Sequence, residues 1–309
     1  MRRPLVNRYL YFCLTCLIFY WFSHTLLTKI VVFAPAFSPI LFPTLTTFLL
    51  VFQLFIACFM AMKYWCDRRR LYLLAIAFAF VGSTVLMVGT LNCFPAWLTL
   101  DGINVIKYND AMIFYMMRNI MMALLITLAA VLYTVRHHPL SRMTQNLIIG
   151  GLFIFTLVMI VLAWLYSSHS MLLTLDLVDN ESRQFMVLWS QVINIILIIL
   201  WVMTLITLLV ITRLRNLFWV SGSFLCVCYI ITLVTLLSSD SVEGFAWYSS
   251  RLFETLATLL LILTLLYDVF SLYRESHQKY QQSYQNSIRD ALTRLYNRSY
   301  FYETLNHVL

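Results

Sequence analysis

Hydrophobic residues are gathered into long runs along the chain, and short polar connections separate these runs. A helix rises 1.5 Å per residue, so about 20 apolar residues cross a hydrocarbon core of roughly 30 Å. Eight runs reach that length, which predicts eight transmembrane helices. The predicted spans are residues 9–32, 40–62, 71–91, 111–135, 147–166, 185–211, 217–237 and 245–270.

Run length and composition together define the fold class. The strands of a membrane β-barrel have only about 9–11 residues and alternate apolar with polar positions, unlike these runs. Of the 309 residues, 62% are hydrophobic and 11% are charged, whereas a soluble domain carries about 25% charged residues. We therefore predict an all-α, polytopic membrane helix bundle with the lipid bilayer as its main partner.

The charges of the connections alternate along the chain. Basic residues collect in the N-terminal tail and in every second loop, whereas the loops between them are mainly acidic. By the positive-inside rule, this pattern places both termini in the cytoplasm. It also explains the net charge of +8 without a nucleic-acid partner, which we do not expect. The basic positions are Arg2, Arg3, Arg8, Lys63, Arg68, Arg69, Arg70, Arg136, Arg142, Arg213 and Arg215.

Six tryptophans lie near the ends of predicted spans, where an indole ring suits the interface between hydrocarbon and headgroups. We predict that they are interfacial anchors: Trp65, Trp97, Trp164, Trp189, Trp219 and Trp247.

The chain changes character after residue 270. Residues 271–289 are polar, contain no Gly or Pro, and continue directly from the last span, which predicts a cytoplasmic helix. Tyr273 and Tyr280 are seven residues apart, as are Ser276 and Ser283. This spacing permits a short two-stranded seam and hence a homodimer through the linker, but an ordinary solvated helix fits the sequence equally well.

A short motif follows the polar helix. The sequence Asp290-Ala-Leu-Thr-Arg-Leu-Tyr-Asn-Arg298 and the nearby Phe301 resemble the D-x-L-T-G-L-x-N-R-R-x-F opening of the GGDEF family, the diguanylate cyclases. Arg294 replaces the usual Gly, and Ser299 replaces the second Arg. The matching positions are Asp290, Leu292, Thr293, Leu295, Asn297, Arg298 and Phe301. The membrane part likewise resembles the membrane-associated sensor (MASE-type) domains that precede such cyclases.

The resemblance implies three segments. Residues 1–270 would be the transmembrane sensor domain, residues 271–289 a signalling linker helix, and residues 290–309 the N-terminal fragment of an α/β GGDEF domain. The resemblance also implies that Asp290 and Arg298 pair to join the linker to the cyclase domain. From the residues alone, Asp290 and Thr293 are good helix N-caps, so a generic capped amphipathic helix remains an alternative.

The GG(D/E)EF turn that the family uses for catalysis is absent from this sequence. A complete cyclase of the family would use GTP and Mg²⁺. We expect no catalytic residue, bound metal or cofactor in the 309 residues, and no cyclic di-GMP synthesis by this chain as given. The sequence is therefore expected to be the sensor part of a truncated cyclase in a bacterial inner membrane.

Charged residues inside predicted spans are candidates for a functional site, because each costs about 2.5–3.5 kcal/mol at the centre of a bilayer. Arg118, Arg251 and Glu254 are predicted to lie roughly 9–13 Å below the outer surface, and His24 at a similar depth. Our hypothesis is a polar pocket that is open to the outside and holds an unidentified small molecule, with an anion as one candidate.

Other interpretations remain open at this point. The charged side chains could form buried pairs that only fix helix packing, aided by Gln53, Asn119, Gln191 and Asn194 as hydrogen-bonding partners. For the whole chain, one alternative is a transporter of small molecules or ions. Another is a non-catalytic dimerisation partner of other cyclases.

The charge pattern predicts an orientation that reporter fusions can test. A reporter fused after Pro35 should be outside the cell, whereas reporters fused after Arg69 and Leu309 should be inside, because the basic connections remain in the cytoplasm. Activities of alkaline phosphatase and green fluorescent protein fusions measure this directly. A Pro35 fusion inside the cell, or a Leu309 fusion outside it, would contradict the predicted orientation.

Overall fold

Eight long helices are present in the described part of the chain, and each is long and apolar enough to cross a membrane. The computed structural model describes residues 3–33, 41–94, 106–136, 140–170, 172–239, 241–242, 245–289, 295–297 and 300. The helices are α1 (Arg3–Phe33), α2 (Leu41–Cys66), α3 (Leu71–Asn92), α4 (Tyr108–Thr134), α5 (Arg142–Tyr166), α6 (Asn194–Thr212), α7 (Leu217–Leu237) and α8 (Phe245–Ile288). The predicted all-α fold with eight membrane-spanning helices is confirmed.

The sixth predicted span begins too early. Phe185 is not helical but forms an antiparallel bridge with Val178, and the backbone N–H of Asp179 donates to the carbonyl of Gln184 at 3.0 Å. These bonds close a turn in which Arg183 has φ 58°, so residues 178–185 cannot join the helix. Helical structure in this region includes a π-helical segment, Leu188–Ile193, which continues into α6.

Helices α3 and α4 form the centre of the unit Met1–Ile262. Helix α3 packs against α2, α4 and α5, while α4 also packs against α5 and α6. Most side chains of α3 and α4 are buried, whereas most of the described side chains of α1 are exposed and only four of the 25 residues of α5 are buried. Helix α5 is at least as apolar in sequence as α3, so apolar composition alone does not show which helices lie at the centre.

Two glycines on α3 allow α4 and α5 to approach closely. A Cβ atom on Gly82 would lie 2.6 Å from Met121 Sδ and 2.7 Å from Thr156 Cγ2. A Cβ atom on Gly89 would lie 2.6 Å from the ring of Phe114. Small residues at helix contacts are a common packing device in membranes, and these two serve that purpose here.

Three of the four predicted amide partners bond across helices. Ser83 donates to Gln53 Oε1, Trp201 Nε1 donates to Asn119 Oδ1 at 3.0 Å, and Asn194 Nδ2 donates to the carbonyl of Leu233 at 3.1 Å. Gln191 is instead exposed in the π-helical segment.

The predicted interfacial tryptophans differ in exposure. Trp65 and Trp164 are exposed, but Trp189, Trp219 and Trp247 are buried inside the bundle. Distance from a span end could not predict this difference, because packing against neighbouring helices decides which indoles are covered. Trp97 lies outside the described residues.

The second unit is Leu263–Leu309, and within it the residues 271–287 of α8 form a polar, exposed helix. Lys279 Nζ lies 2.7 Å from Glu275 Oε1, four residues apart on this surface. This contact lowers the pKa of Glu275, chiefly through the hydrogen bond from Lys279. A single helix thus covers both the eighth predicted span and the predicted linker.

The glycine contacts predict that Gly82→Ala destabilises the bundle. The added methyl group would overlap Met121 and Thr156, and overpacking of this kind costs typically 1–3 kcal/mol. Gly150→Ala is the matched control, because a Cβ atom there meets nothing within 4 Å. Thermal unfolding of the purified protein in detergent measures both. Equal midpoints for the two variants would contradict the proposed close packing.

Candidate functional site

Glu254 on α8 is the centre of a buried polar cluster that joins three helices. Its Oε1 atom accepts hydrogen bonds from Arg118 Nη1 of α4 and, at 2.7 Å, from the Tyr229 hydroxyl of α7. Its Oε2 atom accepts from Arg251 Nη1, one turn earlier on α8, at 3.0 Å. We call Arg118, Arg251, Glu254 and Tyr229 the ion cluster. The structure thus brings together three of the four side chains that the sequence analysis selected.

Burial makes these ion pairs important. The exposed fractions are 1% for Arg118, 4% for Arg251 and 1% for Glu254. Removing one partner from a buried pair is strongly destabilising, because it leaves a charge without compensation in a medium of low polarity. Each charged side chain of the cluster therefore depends on the others.

Aromatic rings enclose the two guanidinium groups. The ring of Tyr115 lies 5.3 Å from the Arg118 Cζ atom and 5.9 Å from the Arg251 Cζ atom, and Phe42 of α2 lies 4.7 Å from the latter. Trp201 of α6 stacks on Tyr229 with 4.3 Å between ring centroids. Cation–π attraction contributes to holding charge in such a site, with up to about 2 kcal/mol for a desolvated pair.

Three buried donors of this region have no hydrogen-bond partner within the described part of the chain: Arg118 Nη2, Arg251 Nε and the Tyr115 hydroxyl. A small cavity lies next to two of these residues. Its lining comprises Phe42, Tyr115, Leu236, Trp247, Ser250, Arg251 and Glu254. The cavity offers about 10 Å³ to the centre of a water-sized particle, which is room for about one such particle.

His24 is not part of the ion cluster. It is exposed on α1, and its ring stacks on Tyr20 with 5.9 Å between centroids. A position along a span fixes depth but not the face of the helix, which explains why equal depth did not place His24 with the arginines.

The folded loop between α5 and α6 is fixed to the start of α4, a contact that was not predicted from the sequence. Asn109 Oδ1 accepts from the N–H groups of Leu177 at 2.7 Å and Val178 at 3.1 Å. Asp110 Oδ1 accepts from the Ser168 N–H at 2.9 Å. Helix α4 therefore carries loop contacts at one end and Arg118 further along. The adjacent polar pair at the start of a span was the available sequence signal.

Within the same loop, Asp179 stabilises its own turn. Hydrogen bonds from the Ser182 hydroxyl and from the Glu181 N–H lower the pKa of its carboxyl group. The carboxylate form therefore predominates in the folded loop at neutral pH, and the bonds weaken only when the pH falls through this lowered pKa.

The motif after α8 is described only in part. Leu295 is 70% exposed, and the Asn297 N–H donates to the carbonyl of Ile288 at 2.8 Å, which folds the chain back onto the helix end. Asp290, Leu292, Thr293 and Arg298 lie outside the described residues. The predicted Asp290–Arg298 pair therefore stays a prediction.

Among the described residues, no group of three or more His, Cys, Asp or Glu side chains could hold a metal ion. The chemistry that the described side chains offer is charge pairing and hydrogen-bond donation inside the membrane.

The ion cluster predicts that Glu254→Gln lowers the free energy of unfolding by roughly 3–5 kcal/mol, because two buried arginines lose their carboxylate. Glu275→Gln is the matched control: it removes a carboxylate that is also paired, but on the exposed part of the same helix. We expect an unchanged unfolding midpoint for that variant. Similar midpoints for both variants in detergent would contradict a stabilising role of the cluster.

Comparison with known proteins identifies the membrane part. The probable diguanylate cyclase DgcT of Escherichia coli (strain K12) is 24% identical over 250 residues, which cover 80% of this chain and 53% of that protein. The chain thus spans about half the length of this curated relative. No solved structure matches the chain. The model of the MASE4 family, described as a membrane-associated sensor, integral membrane domain, matches residues 36–273. The predicted resemblance to such sensors is confirmed, and the chain belongs to the MASE4 family.

Proposed function

We propose that the chain is the membrane sensory module of a diguanylate cyclase, and that it passes an outer-side or membrane signal to a cytoplasmic GGDEF domain. Three findings support the proposal: the MASE4 match, the name of the curated relative, and the D-x-L-T-x-L-x-N-R motif that begins at Asp290. GTP would be the substrate of the cyclase domain, with Mg²⁺ as its cofactor.

The strongest support for the proposal comes from helix α8. Helix α8 contains Arg251 and Glu254 of the ion cluster and ends at Ile288, two residues before Asp290. The buried charges and the family motif therefore belong to one secondary-structure element and its immediate continuation. A helix is a stiff connection, so a movement at one end of α8 can be passed to its other end without an intervening loop.

The ion cluster provides a means of making such a change. Glu254 divides its two oxygens between Arg118 of α4 and Arg251 of its own helix. A signal that favours one of these contacts over the other would shift the position of α8 relative to α4. By linkage, a signal can change the equilibrium between the two arrangements only by as much as its free energy of interaction differs between them.

The cellular setting is part of the proposal. The basic tail and basic connections support a multi-pass protein of the bacterial inner membrane with both termini in the cytoplasm. The spacing of Tyr273 and Tyr280 on the exposed part of α8 supports a homodimer through this helix. Two copies would then present two cyclase domains to each other.

A chimera tests the coupling through α8. The chain is joined in frame, at its D-x-L-T motif, to the rest of a GGDEF domain, and alanines are inserted after Gln278. Two inserted residues rotate the following helix by about 200°, whereas seven return it to within about 20° of its original face. We expect the two-residue insertion to change cyclic di-GMP synthesis by membranes several-fold, and the seven-residue insertion to restore it.

The two insertions also provide the controls. Both variants must reach the membrane in equal amounts, as measured by immunoblot. If the two insertions leave synthesis equal to that of the uninterrupted chimera, the membrane part does not control the cyclase domain through α8, and the proposal fails.

A further inference from the structure

The ion cluster carries one more positive charge than its carboxylate neutralises. In the described ranges, Glu254 is the acidic residue that ion-pairs with Arg118 and Arg251. Asp110, the acidic residue of α4, instead accepts hydrogen bonds from Ser168 in the loop between α5 and α6. A buried charge without a counter-charge is far less stable than a buried pair, so a second negative charge is expected near the two arginines.

Two hydrogen-bond donors show where that charge would be. Arg251 Nε and the Tyr115 hydroxyl are both buried without a partner in the region described. Both residues line the same small cavity, and the Arg251 Cζ atom lies 5.9 Å from the Tyr115 ring centroid. Arg118 does not line the cavity. Arg251 and Tyr115, each with one donor that has no partner among the described residues, therefore line the same small cavity.

The carboxylate of Glu254 also lines this cavity, but its two oxygens are already occupied. Oε1 accepts from Arg118 and Tyr229, and Oε2 accepts from Arg251. Ser250, another lining residue, donates its hydroxyl to the carbonyl of Trp247 at 2.9 Å. The remaining donors have no acceptor among the described side chains and backbone groups. A water molecule would satisfy them but would leave the surplus charge in place.

We propose that the cavity binds one small monovalent anion of about the size of chloride, held by Arg251 Nε and the Tyr115 hydroxyl. The cavity has room for about one water-sized particle, which favours a small anion over sulfate or an organic acid. The anion completes the charge of the ion cluster and thereby stabilises the contact between α4 and α8. The inference rests on the proposed function in one respect only, which is that it takes this cavity to be the ligand site of the sensory module.

Chloride itself is the probe. The full chain is purified in a neutral, lipid-free detergent and titrated with chloride against gluconate at constant ionic strength, so that a lipid headgroup cannot supply the charge. We expect the unfolding midpoint to rise with chloride and to saturate, because a ligand that binds only the folded state stabilises it by mass action. Bromide should replace chloride, and sulfate should give no saturable rise. A midpoint that is independent of chloride, or a saturable rise with sulfate, would overturn the proposal.

Two variants locate the binding site. Tyr115→Phe removes one donor but keeps the ring, and should raise the half-saturating chloride concentration about tenfold, as expected for a hydrogen bond to a charged group. Arg251→Gln should abolish the chloride effect. Tyr133→Phe, a buried tyrosine at the other end of α4, is the matched control and should titrate as the natural chain does. Identical titrations for Tyr115→Phe and Tyr133→Phe would overturn the assignment.

A second readout keeps the test valid if a variant unfolds. Broadening of the chloride-35 resonance by the natural chain, and its reversal by bromide, reports binding without any substitution. Absence of broadening at concentrations that raise the unfolding midpoint would show that chloride acts on the solvent rather than in the cavity, and would refute the site.

The two proposals can fail separately. If chloride binds as described while the chimera makes cyclic di-GMP at a rate independent of chloride and of the α8 insertions, the sensory function fails and the anion site stands. If the insertions alter synthesis but the natural chain shows no saturable chloride binding, the anion inference fails and the sensory function stands.

Discussion

The structure depends on one constraint: Glu254 is buried in a part of the chain that crosses a membrane, so its charge must be compensated within the protein. Arg118 and Arg251 provide the compensation from two helices, and Tyr229 adds a hydrogen bond from a third. Apolar packing between membrane helices is weakly specific, because lipid tails solvate the same side chains equally well. The ion cluster therefore specifies which faces of α4, α7 and α8 meet.

The same constraint suits a sensor. Packed contacts between helices have a few discrete arrangements rather than a continuous range, and the ion cluster adds charge pairs that a signal can favour or disfavour. Helix α4 joins the cluster to the loop between α5 and α6 through Asn109 and Asp110, and α8 leads from the cluster to the helix end before the family motif. Loop contacts, buried charges and the polar helix thus lie on two elements that meet at Arg118 and Glu254.

Much of this organisation could be predicted from sequence, because a bilayer imposes length and composition on each span. The eight helices and the choice of Arg118, Arg251 and Glu254 follow from the cost of moving charge into hydrocarbon. The later start of the sixth helical segment and the position of His24 outside the ion cluster have a common reason. The depth of a residue follows from its position along the span. Tertiary packing decides where a turn such as residues 178–185 forms and which face of α1 meets the bundle.

The contribution of Tyr229, Tyr115 and Trp247 to the ion cluster and its cavity could not be predicted from the sequence in the same way. Aromatic residues are abundant in the chain, at 16%, and nothing in a linear pattern distinguishes a ring that faces lipid from one that encloses a guanidinium group. Only the pairing of α4 with α7 and α8 makes that distinction. The tryptophans illustrate this most clearly, since Trp189, Trp219 and Trp247 are buried although Trp65 and Trp164, also near span ends, are exposed.

A double-mutant cycle between Arg118→Met and Glu254→Leu tests the central claim most directly. Unfolding free energies of the two single variants, the double variant and the natural chain are measured in detergent. If the ion pair joins α4 to α8, Glu254→Leu will be less destabilising in the Arg118→Met background by about 2 kcal/mol or more, because that arginine no longer needs a partner. An equal cost of Glu254→Leu in both backgrounds would show that the two side chains act independently and would contradict the account.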